Sequence, residues 1–271
     1  MYPDLLTRQL FCSTIKIKAI LFCFVLAYSY LCSAKRCDSG SVGRALASQA
    51  EGRGFESRLS LLMLSTRLQI PIILVYVILA VLDFVPIPFP ARMIFPLLWL
   101  SLCAMYQKQK MLTAALFFSF LGDVMGWRHE LIPQIAFFAI AQILYIITFS
   151  HLMPPKTTRA KTIKYIILAL VALVYGIAMF WIFPRVEDNI ISLGIAIYAL
   201  LLLGMCYTAL QHKNICLILG ATLFVISDFV LGVHLFVQRI PNSTLCIMLP
   251  YYIGQLLLFI GTQKLYKLTS C

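Results

Sequence analysis

The chain consists of long apolar runs that are separated by short polar joints. Between residues 68 and 263 these runs have the length of membrane helices, because a bilayer core of about 30 Å needs roughly 17–25 apolar residues per helix. Several joints hold only three to six residues, so consecutive helices must be antiparallel neighbours. The pattern predicts an all-α polytopic membrane protein with a bundle of eight helices, at 68–84, 91–106, 111–127, 131–150, 163–183, 190–210, 214–234 and 244–263.

Composition and charge agree with this class. Of the 271 residues, 62% are hydrophobic and 12% are charged, which is too apolar for a soluble domain. The net charge of +12 comes from short basic clusters between the runs, which we interpret as loops that face anionic lipid headgroups rather than as a nucleic-acid groove. The nine cysteines contain no CxxC pair, and no two histidines have ligand spacing. We therefore predict no disulfide scaffold, no metal and no cofactor.

The basic residues are divided unequally between the two sides of the predicted bundle. When the joints alternate between the sides, one side carries eleven Lys or Arg residues and the other carries four, Arg92, Arg128, Arg185 and Arg239. The positive-inside rule makes the first side cytosolic. Both ends of the eight-helix core, including a tail at 264–271, are therefore predicted to face the cytosol.

Residues 1–67 do not fit the pattern of the core. They contain an extra apolar segment at 10–31, followed by a Gly-, Ser- and Arg-rich segment at 33–60 with little apolar periodicity. Such a composition predicts disorder. We interpret residues 1–67 as an aberrant or lineage-specific extension, and the alternative is a signal anchor.

Two aspartates lie well inside apolar runs, Asp123 in FFSFLGDVMGW (117–127) and Asp228 in TLFVISDFVLG (222–232). An Asp at the centre of a membrane helix costs about 2.5–3.5 kcal/mol on insertion scales. One such residue is explained equally well by a structural hydrogen bond between helices. Two at a similar depth on parallel helices favour a functional pair.

The surroundings of the two aspartates indicate an internal repeat. Leu121-Gly-Asp123 aligns with Ile226-Ser-Asp228, and Phe138-Ala-Ile-Ala-Gln142 aligns with Tyr251-Tyr-Ile-Gly-Gln255. An offset of four helices preserves their orientation, so the pattern predicts a 4+4 parallel repeat. In such a repeat the polar residues of both halves meet near a pseudo-axis.

The motifs LGD in the third helix, FxxAQxLY in the fourth, SD in the seventh and YYIGQ in the eighth occur in that order. In these motifs the chain resembles the YhhN-type lysoplasmalogenase family, over about residues 68–263. The resemblance implies hydrolysis of the vinyl ether bond of lysoplasmalogens to a fatty aldehyde and glycerophosphocholine or glycerophosphoethanolamine. It also implies a location in the endoplasmic reticulum and two partners, a lysophospholipid substrate and the bilayer. Formation of a homodimer is left open.

A vinyl ether resists base and is hydrolysed through acid, so the chemistry needs a proton donor and an anion beside the developing oxocarbenium ion, as in glycoside hydrolysis. Burial and a second carboxylate both favour the protonated form of a carboxyl group. We expect Asp123 to act as the general acid, and Asp228 to stabilise the cation or orient water. The expected substrate-binding residues are Ser119, Gln142, Tyr145, Tyr251, Tyr252, Gln255, Arg92 and Arg128.

A departure from the family lies in the second helix. The family has a Lys-Pro-Leu-like element where this chain has Phe95-Pro-Leu97. If that lysine binds the phosphate, another basic residue must replace it here, and Arg92 is the nearest.

Two other functions use the same residues. The first is a proton- or cation-coupled transporter or channel, in which paired intramembrane carboxylates relay protons or bind cations. The second is an inactive relative that binds lysolipid without turnover. Release of aldehyde from a lysoplasmalogen distinguishes the enzyme from both.

Overall fold

The computed structural model describes residues 54–85, 92–153 and 161–269, which form eight α-helices and no strand. The all-α class and the eight predicted helices are confirmed. The apolar segment at 10–31 and residues 33–53 lie outside the described residues. The helices are α1 (Gly54–Phe84), α2 (Phe95–Tyr106), α3 (Lys110–Trp127), α4 (Leu131–His151), α5 (Lys161–Ile182), α6 (Asn189–Gln211), α7 (Ile215–Phe236) and α8 (Ser243–Thr269), with 3₁₀ turns at Arg92–Ile94 and Phe183–Arg185.

The chain divides into two compact units, residues 1–85 and 86–271. In the first unit, α1 is a helix of 31 residues that begins at Gly54. Residues 54–60, which belong to the segment with predicted disorder, are therefore helical in the structure. The physical reason is that Glu, Arg, Leu and Met follow Gly54 in close succession, and these residues are strong helix formers that extend the apolar helix towards its N-terminus.

Five helices of the second unit, α4 to α8, are long and apolar enough to cross a membrane. A polytopic membrane protein is therefore confirmed. The run at 91–106 was predicted as a helix of near-spanning length, but it begins with a 3₁₀ turn and leaves only 12 residues for α2. At 1.5 Å per residue this is about 18 Å, well short of a bilayer core of about 30 Å. Helix α3 has 18 residues and is less apolar than α4 to α7, because it contains Lys110 and Asp123.

Short connections join consecutive helices. Lys108 and His129 have left-handed backbone, with φ of 60° and 59°, in the three-residue connections on either side of α3. A three-residue connection between packed helices forces them to be antiparallel, as predicted. Asp188 and Asn214 begin α6 and α7 by accepting hydrogen bonds from backbone N–H groups of the first turn.

Helices α7 and α8 approach each other at backbone level through glycines. A Cβ atom added to Gly220 would lie 2.9 Å from both the Gly254 carbonyl oxygen and the Leu258 amide nitrogen, and one added to Gly261 would lie 2.8 Å from the Leu217 side chain. Small residues allow this close packing in membrane helices. The α7–α8 hairpin carries Asp228, Tyr251 and Gln255, so the glycines determine where these side chains lie.

Polar contacts join the helices at the end of the unit where α6 terminates. Gln109 and Gln263 exchange two buried hydrogen bonds, of 2.7 and 3.0 Å. His212 is only 3% exposed, and its Nε2 lies 2.9 Å from the Phe149 carbonyl oxygen. The imidazole ring packs edge-on against the Phe149 ring.

Burial makes His212 a source of pH-dependent stability. Burial lowers the pKa of its imidazole, and the hydrogen bond with the Phe149 carbonyl partly opposes this effect. Below the unfolded-state value of about 6.5, the folded state then binds fewer protons than the unfolded state, so the free energy of unfolding falls as the pH decreases. We expect acidification from about pH 7.5 to about pH 5.5 to lower the melting temperature of the wild type more than that of His212→Gln. Equal shifts in the two proteins would contradict this origin.

Candidate active site

Asp123, on α3, is paired with a tyrosine hydroxyl from α8. The Tyr251 hydroxyl donates towards both carboxylate oxygens, at 2.9 Å from Oδ1 and 3.1 Å from Oδ2. Both side chains are 4% exposed. The predicted site residues Asp123 and Tyr251 are therefore in direct contact, and a hydroxyl that donates to a buried carboxylate stabilises its charge.

Asp228, on α7, has a second tyrosine as its partner. The Tyr198 hydroxyl, on α6, donates to Oδ2 of Asp228, and both residues are half-buried. Tyr198 was not among the residues that the sequence predicted for the site. It could have been identified from its hydroxyl group, which needs a hydrogen-bond partner because it lies in the otherwise apolar run IAIYALLLL (195–203).

Phe138, on α4, connects the two carboxylate–tyrosine pairs. Its ring centroid lies 6.5 Å from that of Tyr198 and 6.2 Å from that of Tyr251. The absence of a side chain at Gly122 allows this packing, since a Cβ there would lie 2.7 Å from the Phe138 ring. The Tyr198 hydroxyl is also within electrostatic range of Asp123. The two aspartates therefore approach one aromatic centre from α3 and α7.

The three rings also lie at the same level of the bundle. Phe138, Tyr198 and Tyr251 are the eighth, tenth and ninth residues of α4, α6 and α8, which all run in the same direction. At 1.5 Å per residue they lie about 12–15 Å from the helix starts. Phe138 and Tyr251 occupy equivalent positions of the predicted repeat, and their rings are in contact.

Gln142 and Gln255, which the repeat also pairs, are completely buried. The Tyr145 hydroxyl donates to Oε1 of Gln255 at 2.8 Å. The amide nitrogen of Gln255 and both amide atoms of Gln142 make no hydrogen bond of normal geometry with the described residues, although Gln142 lies beside the Tyr198 hydroxyl. Buried amide atoms of this kind are suited to bind water or a ligand oxygen.

Ser119 and Tyr145 lie beside Asp123. The Ser119 hydroxyl donates to the Ala115 carbonyl at 3.0 Å, one turn earlier on α3, and lies next to the Tyr145 hydroxyl. Tyr145 is itself within electrostatic range of Asp123. Ser119 and Tyr145 therefore belong to the same buried polar cluster as Asp123.

The remaining predicted site residues are Tyr252, Arg92 and Arg128. The Tyr252 hydroxyl donates to the Met93 carbonyl at 3.2 Å, and its ring contacts that of Tyr251 at 5.7 Å. This bond places the backbone of the turn that contains Arg92 next to the cluster, while the Arg92 side chain lies outside the described part of the chain. Arg128 is exposed and pairs with Glu130 at 3.0 Å, so it lies at the surface and not inside the cluster.

Comparison with known proteins gives the family. The model of the YhhN family matches residues 85–262. Lysoplasmalogenase TMEM86B of Homo sapiens is 32% identical over 158 residues, which cover 57% of this chain and 64% of the relative. Lysoplasmalogenase TMEM86B of Sus scrofa is 29% identical over 158 residues, which cover 58% and 65%.

The chain therefore spans slightly less than two thirds of the length of these curated relatives. No solved structure matches it. The family match includes both aspartates, their tyrosine partners and both glutamines, and it covers well over half of the chain. The chain belongs to the YhhN family.

Proposed function

We propose that the protein is a membrane hydrolase that cleaves the vinyl ether bond of lysoplasmalogens. The observation that carries this proposal is the pair of carboxylate–tyrosine contacts around Phe138, inside a bundle of membrane helices. Acid hydrolysis of a vinyl ether needs a proton donor and an anion at the same place. The names of the two relatives support a lysoplasmalogen as the substrate.

The geometry favours Asp228 as the proton donor and Asp123 as the anion, the reverse of the assignment expected from the sequence. Tyr251 donates towards both oxygens of Asp123, as suits a permanently charged carboxylate. Asp228 accepts from Tyr198 through Oδ2 and is more exposed than Asp123. Its Oδ1 is then the atom that presents a proton to the substrate.

The reaction proceeds in three steps. The carboxyl proton of Asp228 moves to the alkenyl carbon remote from oxygen, the double-bond electrons form the new C–H bond, and the ether oxygen stabilises the cation as an oxocarbenium ion. Water adds to the other alkenyl carbon and returns a proton to the Asp228 carboxylate. The hemiacetal then loses the glyceryl oxygen, which takes the hydroxyl proton, and leaves a fatty aldehyde. Asp123 stabilises the cation throughout.

The glutamines suit the binding of water and of the glycerol oxygens. Gln142 presents an amide nitrogen and an amide oxygen beside Tyr198, and Gln255 presents its amide nitrogen beside Tyr145. A water held between a donor and an acceptor has a fixed orientation for its addition. Ser119 and Tyr145 support the Asp123 side of the cluster.

The phosphate of the substrate is proposed to bind at Arg92. The Tyr252–Met93 hydrogen bond holds the backbone of the Arg92 turn beside Tyr251, whereas Arg128 is already paired with Glu130 at the surface. This assignment also provides the replacement for the basic residue that the family has at the position of Phe95. The alkenyl chain stays among the membrane helices.

The proposed location is the endoplasmic reticulum membrane, with both ends of the eight-helix core in the cytosol. The orientation is supported by the unequal distribution of Lys and Arg over the loops. In this orientation Asp123 and Asp228 lie in the lumenal half of the bundle. If the protein forms a homodimer, the exposed apolar face of α5 offers a surface for it.

Incubation of the purified protein with a 1-alkenyl lysophospholipid tests the function directly. We expect free aldehyde from the alkenyl lipid and none from the matching 1-alkyl lipid, because a saturated ether cannot form the oxocarbenium ion by protonation at carbon. Folded protein that releases no aldehyde would contradict the proposal. Ion flux through the same protein in liposomes would then identify the transporter.

A further inference from the structure

Tyr198, on α6, contacts the polar residues around the two aspartates. Its hydroxyl donates to Oδ2 of Asp228, its ring lies against Phe138, and the amide of Gln142 is next to it. Among the described residues, Oδ1 of Asp228 accepts no hydrogen bond. The two oxygens of this carboxyl group therefore have different surroundings.

The internal repeat does not account for Tyr198. Tyr251 serves Asp123, and its equivalent position in the other half of the repeat is Phe138, which has no hydroxyl group. Because this position is phenylalanine and not tyrosine, the repeated motif gives Asp228 no hydroxyl donor. Tyr198 fills this place from a helix outside the repeated motifs, and its ring contacts the same Phe138. The two carboxylates therefore receive hydroxyl donors of different origin.

We propose that Tyr198 is a positioning residue that holds Asp228 through Oδ2, so that Oδ1 carries the proton and delivers it to the alkenyl carbon. This inference rests on the proposed function. The Tyr198 hydroxyl does not contact the reacting carbons and acts through Asp228. By fixing one oxygen, it turns the other towards the substrate and limits the rotation of the carboxyl group.

The hydrogen bond also gains strength during the reaction. When Oδ1 gives up its proton, negative charge spreads over both oxygens of Asp228. A hydroxyl that already donates to Oδ2 stabilises this charge without reorganisation. Because the bond is stronger in the transition state than in the ground state, its loss lowers kcat more than it raises KM.

A purely structural role makes a different prediction. Tyrosine hydroxyls often join membrane helices, and the Tyr198–Asp228 bond joins α6 to α7. Loss of such a bond destabilises the protein and reduces the amount of folded enzyme. It leaves the kcat of the molecules that remain folded unchanged.

The test compares Tyr198→Phe with Tyr207→Phe, a matched control on the same helix two and a half turns away. We expect Tyr198→Phe to lower kcat for aldehyde release by about ten- to hundredfold, with KM changed less than about threefold. The control should match the wild type. Rates are normalised to folded protein, measured from the cooperative thermal transition of the same sample. A normalised kcat for Tyr198→Phe within about twofold of the control would overturn the proposal.

A double-mutant cycle tests whether Tyr198 acts through Asp228. Asp228→Glu keeps a carboxyl group but moves it by one methylene, so the hydroxyl can no longer hold it in the native geometry. In the Asp228→Glu background, Tyr198→Phe should then lower kcat by less than about threefold. An equal loss in both backgrounds would overturn the proposal while leaving the hydrolase function intact. A wild-type protein that releases no aldehyde would overturn the proposed function and this inference together.

Discussion

Replacing Asp228 or Asp123 with asparagine should lower the rate of aldehyde release by about a thousandfold or more, because each change removes one charge-bearing partner of the proposed acid–anion pair. Asparagine has nearly the same shape as aspartate and accepts the same tyrosine hydrogen bond through its carbonyl oxygen. The variants should therefore fold. The measurement is the initial rate with a 1-alkenyl lysophospholipid, together with the thermal transition of each purified protein.

Asp188→Asn is the control for these variants. Asp188 is exposed and begins α6 through hydrogen bonds to the Ile190 and Ile191 amides, and asparagine caps a helix equally well. This variant should retain wild-type activity. Full activity in Asp123→Asn or Asp228→Asn would remove that residue from the mechanism. Loss of the thermal transition together with activity would show that its role is structural.

Gly220→Leu should destabilise the protein by about 3 kcal/mol or more, the upper end of the cost of overpacking a close interface. Even a Cβ at this position would lie 2.9 Å from backbone atoms of Gly254 and Leu258. Backbone atoms of two long helices cannot move away as a side chain can. Helices α7 and α8 must therefore separate, which also moves Asp228 relative to Tyr251.

Gly176→Leu provides the matched control, because a Cβ at Gly176 has no atom within 4 Å. The same substitution there should leave the melting temperature unchanged or raise it, since leucine is the better helix former. Melting temperatures and aldehyde release are compared for both variants. If Gly220→Leu melted like Gly176→Leu, the glycine contact would not determine the packing of α7 and α8.

Most of the helices were predictable from the sequence because the membrane imposes a simple requirement. A segment that crosses a bilayer must be apolar and must satisfy its own backbone hydrogen bonds, so the long runs at 131–150, 190–210 and 214–234 are also helices in the structure. The shortness of α2 was not predictable. The composition of its run does not show where a 3₁₀ turn gives way to the α-helix.

The candidate site was only partly predictable. Asp123 and Asp228 were identified because a carboxyl group in an apolar run has a high cost and needs an explanation. Their partners could not be assigned in the same way. Tyrosines are common in membrane helices. Nothing in the order of residues indicated that Tyr251 donates a hydrogen bond to Asp123 or that Tyr198 donates one to Asp228.

The sequence by itself determined the class of the protein, the positions of its helices and the two costly carboxyl groups, because hydropathy and local charge act along a single segment. Only the tertiary structure decided which hydroxyl meets which carboxylate, that Phe138 lies between the two pairs, and that His212 is buried. These contacts join residues that are 30 to 128 positions apart. They depend on how closely the helices approach, which is set by glycines and side-chain shapes that no single segment specifies.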